Sequence, residues 1–234
     1  MASNAKTLTA LVTGGASGLG GAICDEFRDS GITVIATTRK TSIDLPLRLN
    51  EKPVYLDVCD PISIHNLFKW IETHLGHIDI LVNNAGIGLF KPFSEITLEA
   101  WDDVIRTNLT GAFLCSQKAV ELMPNTGGRI LHIGSIAGAI PLADNAPYGI
   151  SKAALRFMSA LINEEFHPRN INSTLITLGA VGTDIWKDRK DFITKDMLSP
   201  KDVAQTIREI AIKKPGIRVD EITLLPPKGI LNPI

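Results

Sequence analysis

The sequence predicts an α/β protein built on a doubly wound, mostly parallel sheet of seven strands with helices on both faces. Short runs rich in valine, isoleucine and leucine alternate along the chain with longer segments of helical periodicity. The apolar runs are nearly continuous, which is typical of strands covered on both faces. Repeated strand–helix alternation implies right-handed crossovers between parallel strands. A length of 234 residues suits one such domain.

The elements follow in chain order from these patterns, with glycine and proline clusters between them. The predicted strands are Leu8–Thr13, Ile32–Thr37, Pro53–Asp57, Ile78–Asn83, Arg129–Gly134, Ile171–Leu178 and Glu221–Leu225. The predicted helices are Gly18–Ser30, Pro61–Leu75, Leu98–Met123, Ala146–His167 and Pro200–Ile212. The aperiodic segment Gly179–Ser199 follows the sixth strand at its carboxyl end, where open α/β sheets bind ligands. We therefore expect a substrate-loop flap at about 179–199.

The composition argues against several classes of function. Apolar residues make up 44% of the chain and the net charge is −1, without a basic block, so neither a nucleic acid nor a membrane is an expected partner. Three widely spaced cysteines indicate a reducing compartment. No signal peptide or long apolar span is visible, so we expect a cytoplasmic protein. Five scattered histidines give no reason to expect a metal site.

A glycine-rich turn joins the first strand to the first helix. It reads Thr13-Gly14-Gly15-Ala16-Ser17-Gly18-Leu19-Gly20. Glycines permit a tight turn and let the backbone approach a pyrophosphate, to which the helix amino terminus presents free N–H groups. No Gly-Lys-Ser/Thr follows, which argues against an ATP-binding P-loop.

Tyr148 and Lys152 lie four residues apart on a predicted helix, with Ser135 thirteen residues upstream. Positions i and i+4 share a helix face, so the phenol and the ammonium can reach one substrate together. A nearby cation lowers the pKa of a phenol, which would make Tyr148 a proton donor and acceptor for a carbonyl/alcohol pair.

These motifs, together with Asn83-Asn84-Ala85-Gly86 and Asn108, resemble the short-chain dehydrogenase/reductase superfamily. The resemblance implies that residues 1–234 form a single Rossmann domain that interconverts a ketone or aldehyde and an alcohol. It makes Tyr148 the general acid/base, with Ser135 bonded to the substrate oxygen. It implies that Lys152 binds the nicotinamide ribose hydroxyls and lowers the pKa of Tyr148. It also implies that Asn108 holds a water molecule in the proton relay.

The resemblance also assigns residues to the cofactor. The phosphates and ribose would be lined by Gly14, Ser17, Gly18, Leu19 and Gly20, the adenine edge by Asp57 and Val58, the adenosine and ribose side by Asn83, Ala85 and Gly86, and the nicotinamide side by Tyr148, Lys152, Val181 and Thr183. The family often has Pro-Gly after the sixth strand, whereas this chain has Leu178-Gly179. The loop entrance therefore lacks a proline's fixed φ.

The end of the second strand bears on which nicotinamide cofactor is used. NAD-specific members carry a carboxylate there, but this chain has Thr38, followed by Arg39. A guanidinium suits a 2′-phosphate, so NADP(H) is the expected cofactor, with NAD(H) as the alternative.

Several further residues are candidates for the substrate pocket or for structural roles. The pocket candidates are Ile136, Leu142 and Asn145, whereas His132 is expected to be a core histidine. The flap residues Trp186, Phe192, Met197 and Leu198 form either an apolar lid or simple packing. Phe113, Phe157 and Phe166 fit either the core or the interface of a homodimer or homotetramer, which the resemblance implies.

Two rival functions remain open. One is a 3-oxoacyl-thioester reductase, against which stands the absence of lysine and arginine from Ala119 to Gly128, where an acidic carrier protein would dock. The other is a non-catalytic dinucleotide sensor on the same fold. All four candidate catalytic residues are present, which disfavours a sensor.

Overall fold

A parallel sheet forms the centre of the protein. The computed structural model describes residues 7–40, 52–184, 193–214 and 216–231. The strands in these ranges are β1 (Thr9–Val12), β2 (Thr33–Thr38), β3 (Val54–Tyr55), β4 (Ile80–Asn83), β5 (Gly128–Ile133), β6 (Ile171–Leu178) and β7 (Glu221–Leu224). They pair in the order β3-β2-β1-β4-β5-β6-β7, and every described pair is parallel. The predicted doubly wound sheet is confirmed, and these strands are all parallel rather than mostly so.

Helices cover both faces of the sheet. They are α1 (Gly18–Asp29), α2 (Pro61–Leu75), α3 (Leu98–Ile105), α4 (Gly111–Leu122), α5 (Ala146–Phe166) and α6 (Pro200–Ala211). The expected single helix over Leu98–Met123 is instead α3 and α4 joined by a π-helical segment, Arg106–Thr110. Apolar periodicity does not reveal one widened turn inside a long helix, and such turns are frequent at functional sites.

Two apolar cores lie on opposite faces of the sheet. Ala10 and Val12 of β1 belong to the core beneath α1 and α6, whereas Leu11 belongs to the core beneath α2 and α4. Successive strand residues thus point to opposite buried faces, which explains why the sequence runs are apolar without alternation. Burying one such leucine side chain contributes ~2 kcal/mol.

The strand order fixes where a ligand can bind. The chain runs outward from β1 through β2 to β3, and then returns to place β4 on the other side of β1. The connections leaving the carboxyl ends of β1 and β4 diverge, and open α/β sheets bind ligands in the crevice formed at this point.

The predicted flap at about 179–199 is described at its two ends. Val181 forms a parallel bridge with Leu198. The Leu198 N–H donates to the Ala180 carbonyl at 2.9 Å, and the Gly182 N–H donates to the Leu198 carbonyl at 3.0 Å. The two ends are thereby joined at the carboxyl edge of the sheet. Trp186 and Phe192 lie outside the described residues, and the assignment of residues 1–234 to one domain stays a prediction.

None of the described helices is long and apolar enough to cross a membrane. Among the described residues there is also no group of histidine, cysteine, aspartate and glutamate side chains arranged to hold a metal ion.

Candidate active site

The glycine turn between β1 and α1 presents an open helix amino terminus. Gly14 and Gly18 adopt left-handed φ values of 64° and 56°, which favour glycine. Ser17 precedes α1 without capping it by its side chain, and the first turn contains no acidic residue. The first N–H groups of α1 and its partial positive charge therefore remain available to an anion.

A close approach of backbones within this turn explains a further glycine. A Cβ at Gly20 would lie 2.2 Å from the Gly14 carbonyl oxygen and 2.5 Å from Nδ2 of Asn84. Any side chain there would push the turn away from α1. The turn therefore has few side chains, so that its backbone can closely approach the pyrophosphate of a dinucleotide.

Asn84 braces the turn from β4. Its Nδ2 donates to the carbonyls of Thr13 at 2.9 Å and Gly14 at 3.1 Å. The Thr13 hydroxyl in turn accepts from the backbone N–H groups of Asn84 and Ala85, each at 3.0 Å. Four hydrogen bonds therefore join the ends of β1 and β4, and the Asn84 side chain makes two of them.

Asn83 lies differently from the border position that the resemblance implies. Its side chain is buried, with Nδ2 donating to the Ser116 hydroxyl at 2.9 Å and lying 3.3 Å from Nδ1 of His132. The place of Asn83 beside the cofactor stays a prediction. His132 is fully buried, as expected for a core histidine, and burial lowers its pKa to about 3, with the Lys152 charge adding to the effect.

Two segments outline the predicted adenosine end of the site. Thr38 and Arg39 follow at the carboxyl end of β2, where the Thr38 hydroxyl accepts from the Lys40 N–H at 3.2 Å. Arg39 is exposed, and no described residue forms an ion pair or hydrogen bond with its guanidinium. The Asp57 carboxylate accepts from the Cys59 N–H at 2.9 Å, and Val58 is buried against Gly111.

Ser135, Tyr148 and Lys152 come together at the carboxyl end of β5. The Ser135 and Tyr148 side chains are hydrogen-bonded. The Lys152 Nζ lies 5.5 Å from the centroid of the Tyr148 ring and donates to the Ile133 carbonyl at 2.7 Å. The three predicted catalytic side chains thus form one group, in which the residue Tyr148 is half-buried and Lys152 is buried.

The environment shifts the pKa values of both α5 side chains. Burial raises the pKa of the Tyr148 phenol, while the hydrogen bond with Ser135 lowers it. The lowering of the Tyr148 pKa by Lys152, which the resemblance implies, stays a prediction. Burial also lowers the pKa of the Lys152 ammonium to about 8. Both shifts follow from placing a charge where the protein excludes water.

Asn108 lies at the centre of the π-helical segment and is buried. Its Oδ1 accepts from the Ile87 N–H at 2.8 Å, and its Nδ2 donates to the Ile87 carbonyl at 3.0 Å and to the Ser151 hydroxyl at 3.1 Å. The Ser151 hydroxyl donates to the Tyr148 carbonyl at 2.7 Å. Asn108 is thereby connected to the first turn of α5 through Ser151, a residue that no sequence motif singles out.

Two glycines connect these parts across the crevice. A Cβ at Gly86 would lie 3.3 Å from Oδ1 of Asn108 and 3.6 Å from Nζ of Lys152. A Cβ at Gly18 would lie 3.6 Å from the Thr183 methyl group. The loop after β4 therefore borders the candidate catalytic group, and the loop after β6 closes over the glycine turn.

The remaining flap and pocket candidates separate into two groups. Met197 is buried and Leu198 packs against the core beneath α1 and α6, so both serve as packing at the flap's base. Leu142 is 40% exposed, Ile136 is half-buried, and Asn145 is buried directly before α5. These three lie on the segment that joins Ser135 to Tyr148.

The fold and this site define an oxidoreductase that binds a nicotinamide dinucleotide and acts on a CH–OH or C=O group. The short chain dehydrogenase family model matches residues 8–194, and the chain belongs to that family. Such enzymes use NAD(P) and small-molecule substrates.

Several curated proteins and one solved structure are similar to the chain. An uncharacterized oxidoreductase of Staphylococcus epidermidis is 29% identical over 94% of this chain and 98% of its own length. The 3-oxoacyl-acyl-carrier-protein reductase of Escherichia coli is 34% identical over 78% of this chain and 77% of its own. A metagenomic short-chain oxidoreductase, solved in complex with NADP, superposes with a TM-score of 0.79 at 24% identity, covering 94% of this chain and 96% of its own. At that identity the structure supports the fold alone.

Proposed function

We propose that the protein is an NADP(H)-dependent reductase of a ketone or aldehyde, with Tyr148 as its general acid/base. The observation that carries this proposal is the grouping of Ser135, Tyr148 and Lys152 at the carboxyl end of β5. NADPH bound along the glycine turn would supply the hydride. The protein's own task is to orient the substrate and to provide the proton.

The three side chains divide that task. As the carbonyl carbon accepts hydride, negative charge develops on the carbonyl oxygen, and hydroxyl groups aimed at that oxygen stabilise it. Ser135 donates one such hydrogen bond. Tyr148 donates the other and gives up its proton to form the alcohol. The Lys152 ammonium stabilises the phenolate that is left behind.

Asn108 and Ser151 hold this arrangement in place. Their hydrogen bonds join the loop at Ile87 to the backbone of Tyr148. The phenol is therefore carried by a helix turn whose position is tied to the loop bordering the nicotinamide side. A fixed arrangement of this kind raises the reaction rate because less entropy is lost in bringing the reacting groups into position.

The preference for NADP(H) rests on the end of β2. A 2′-phosphate would meet the exposed Arg39 guanidinium, which no described residue pairs, and no carboxylate occupies the position of Thr38. A charge-assisted contact of this kind discriminates strongly between the two cofactors. NAD(H) remains the alternative.

The test of the proposal is turnover combined with binding. Purified protein should consume NADPH faster than NADH with at least one class among small ketones, quinones and acetoacetyl-CoA. Tyr148→Phe should bind NADPH as the wild type does but reduce the accepted carbonyl about 10²–10⁴-fold more slowly. Wild-type protein that turns over none of these compounds with either cofactor would instead favour a dinucleotide sensor.

Reduction of a 3-oxoacyl thioester is the second candidate, because of the similarity to the Escherichia coli reductase. The segment Ala119–Gly128 lacks the lysine and arginine that an acidic carrier would contact. Acetoacetyl-CoA as the best substrate in the panel would favour this candidate over a simple ketone reductase.

We also propose that the protein acts as a homodimer or homotetramer. Ile150, Phe157 and Leu161 of α5 are 47%, 69% and 44% exposed, and Phe113 of α4 is 48% exposed. Exposed apolar side chains in such number on neighbouring helices suit an interface. Phe166, in contrast, packs against the core beneath α2 and α4. Light scattering of the wild type and of Phe157→Glu would test this, with a monomeric wild type contradicting it.

A further inference from the structure

Asp144 has a backbone conformation that most residues avoid. It lies on the segment between Ser135 and Tyr148, and its φ is 57°, in the left-handed region. Of the described residues other than glycine, just Asp144 and Asn170 adopt a positive φ. Aspartate and asparagine tolerate this region better than other side chains do, yet it is still less favourable than an ordinary turn. Such outliers persist where surrounding contacts hold them, and they cluster at functional sites.

The contact that holds Asp144 is made by its backbone. Its carbonyl oxygen accepts from the Lys91 N–H at 2.9 Å, which ties the segment before α5 to the loop after β4. Asp144 is exposed, and no described residue forms a hydrogen bond or an ion pair with its carboxylate. Because the φ of Asp144 sets where its carbonyl points relative to the preceding chain, the left-handed turn and the hydrogen bond to Lys91 depend on each other.

The loop after β4 has a second attachment, on the other side of Tyr148. Ile87 is bonded through its N–H and its carbonyl to the Asn108 amide, and Nδ2 of Asn108 donates to the Ser151 hydroxyl. The Ser151 hydroxyl donates to the Tyr148 carbonyl at 2.7 Å. The hydrogen bonds at Ile87 and Lys91 therefore connect one loop both to α5 after Tyr148 and to the chain before it.

The stretch between these two attachments, residues 87–91, borders the reacting groups. A Cβ at Gly86, directly before it, would lie 3.6 Å from Nζ of Lys152. The residues at 88–90 are uncharged and half-buried. Five residues span at most ~14 Å, so this stretch cannot move far from Tyr148 while both attachments hold. It therefore forms a fixed, uncharged boundary beside the turn of α5 that carries the phenol.

We infer that Asp144 is a positioning residue, whose left-handed backbone holds residues 87–91 in place and thereby fixes one wall of the substrate site beside Tyr148. The inference rests on the proposed function, because it concerns the substrate side of the same site. Asp144 touches neither substrate nor cofactor and acts through Lys91. Loss of its turn weakens ground-state and transition-state binding of the substrate alike, which raises KM and leaves kcat nearly unchanged.

A β-branched side chain at position 144 tests the role of the turn. Valine strongly disfavours a positive φ, so Asp144→Val should break the hydrogen bond to Lys91. We expect KM for the carbonyl to rise about tenfold, the effect of one neutral hydrogen bond, with kcat changed less than about twofold. Glycine adopts a φ of 57° freely, so Asp144→Gly should keep the wild-type KM.

The probes for these measurements are diacetyl, menadione and acetoacetyl-CoA, each with saturating NADPH. The variants are compared on whichever probe the wild type reduces with the highest kcat/KM. Asp144→Asn removes the charge but keeps a residue that tolerates a positive φ, so its KM should match that of the wild type. This variant separates the backbone of Asp144 from its carboxylate.

Asn170→Val is the matched control for backbone strain. Asn170 has a φ of 56° and lies directly before β6, at the edge of the sheet opposite the site. Valine there imposes the same conformational strain as at position 144, so it should lower the free energy of unfolding without changing KM. Urea unfolding of both valine variants verifies that they are folded and compares their stabilities.

The hydrogen bond can also be removed from its donor side. Lys91 precedes Pro92, so its backbone is already confined to the extended region that proline favours. Lys91→Pro deletes the N–H and should raise KM about tenfold, as Asp144→Val does, whereas Lys91→Ala keeps the N–H and should not. This pair carries the test if Asp144→Val does not fold.

Hydrogen exchange at the Lys91 amide, followed by NMR, gives a readout that does not depend on turnover. The amide should be protected in the wild type and in Asp144→Gly, and it should exchange about tenfold faster in Asp144→Val. Equal exchange rates in the three proteins would show that the turn does not hold the loop and would overturn the inference.

The kinetic outcomes separate the two proposals. A folded Asp144→Val with the wild-type KM, or an Asp144→Asn with a raised KM, overturns the positioning role while the reductase function stands. An equal rise of KM in Asn170→Val assigns the effect to general destabilisation and also overturns that role. A wild type that reduces none of the three probes with either cofactor counts against the proposed function itself.

Discussion

The buried ammonium of Lys152 lies 5.5 Å from the ring centroid of the partly exposed Tyr148 and is anchored to β5 through the Ile133 carbonyl. The anchor explains how a flexible side chain keeps one position. A lysine has several rotatable bonds, and a 2.7 Å hydrogen bond at its end fixes the charge relative to the phenol. The same burial removes the ammonium from water and therefore lowers the free energy of unfolding.

We expect Lys152→Met to stabilise the protein at neutral pH and the gain to shrink at alkaline pH. Burial lowers the pKa of Lys152 from 10.5 to about 8. Below pH 8 both states carry the proton, and the buried charge costs about 3 kcal/mol at ~1.4 kcal/mol per pKa unit. Between pH 8 and 10.5 unfolding takes up a proton, so the wild type gains stability relative to the variant. Urea unfolding at pH 7 and 9.5 measures the difference.

Lys69→Met is the control for this experiment. Lys69 lies in an exposed pair with Glu72 on α2, and surface pairs contribute little. Its free energy of unfolding should stay within about 0.5 kcal/mol of the wild type. If Lys152→Met is less stable than the wild type at pH 7, the buried ammonium does not lower the free energy of unfolding and the prediction is wrong.

Replacing Asn84 should weaken cofactor binding with little effect on the chemical step. Asn84→Ala removes both donors that hold the carbonyls of Thr13 and Gly14. Without these hydrogen bonds the glycine turn would be held less firmly in the shape that binds the cofactor. We expect the Kd for NADPH to rise about tenfold, which corresponds to the net free energy of roughly one hydrogen bond. Isothermal titration and saturating kcat separate the two effects.

Asn172→Ala provides the comparison, since Asn172 donates to the nearby Asn170 carbonyl at the amino end of β6. It should lower stability without changing the Kd for NADPH. Equal losses of affinity in both variants would mean that Asn84 acts through global stability alone.

The choice of cofactor should follow the residues at the end of β2. Thr38→Asp with Arg39→Ala introduces a carboxylate that repels a 2′-phosphate and suits a ribose 2′-hydroxyl. The ratio of kcat/KM for NADPH over NADH should fall at least about 100-fold, from the loss of one charge-assisted contact and the gain of one repulsion. A wild type that already prefers NADH would refute the prediction before any substitution is made.

The sequence predicts those parts of the site that depend on neighbours in the chain. The glycine turn and the Tyr148–Lys152 pair are both local patterns, and each lies where the sheet was expected to place it. The sheet itself follows from apolar runs whose two faces are both buried. Cys24 and Cys115 are buried, and burial raises the pKa of each thiol to about 12, whereas Cys59 is half-buried.

The rest of the site depends on contacts between distant residues, which spacing does not encode. Asn84 reaches the glycine turn from 71 residues away, and Ser151 is connected to Asn108 across 43. The effect of burial on the pKa of Tyr148 is likewise not encoded in residue spacing, because the amount of burial is a property of the folded protein. The π-helical turn at Asn108 has no signature in the apolar periodicity of Leu98–Met123.

Acid should destabilise the protein through His132. The pKa of this fully buried ring is lowered from 6.5 to about 3, so between these values unfolding takes up a proton that the native state excludes. Stability should therefore fall as the pH decreases below 6.5, by about 2 kcal/mol between pH 6.5 and 4.5. His132→Leu removes the titrating group, so its free energy of unfolding should depend less on pH over this range. Ile130→Val on the same strand has no titrating group and should lower stability by the same amount at each pH; a His132→Leu variant with the full wild-type acid dependence would assign the effect to other groups.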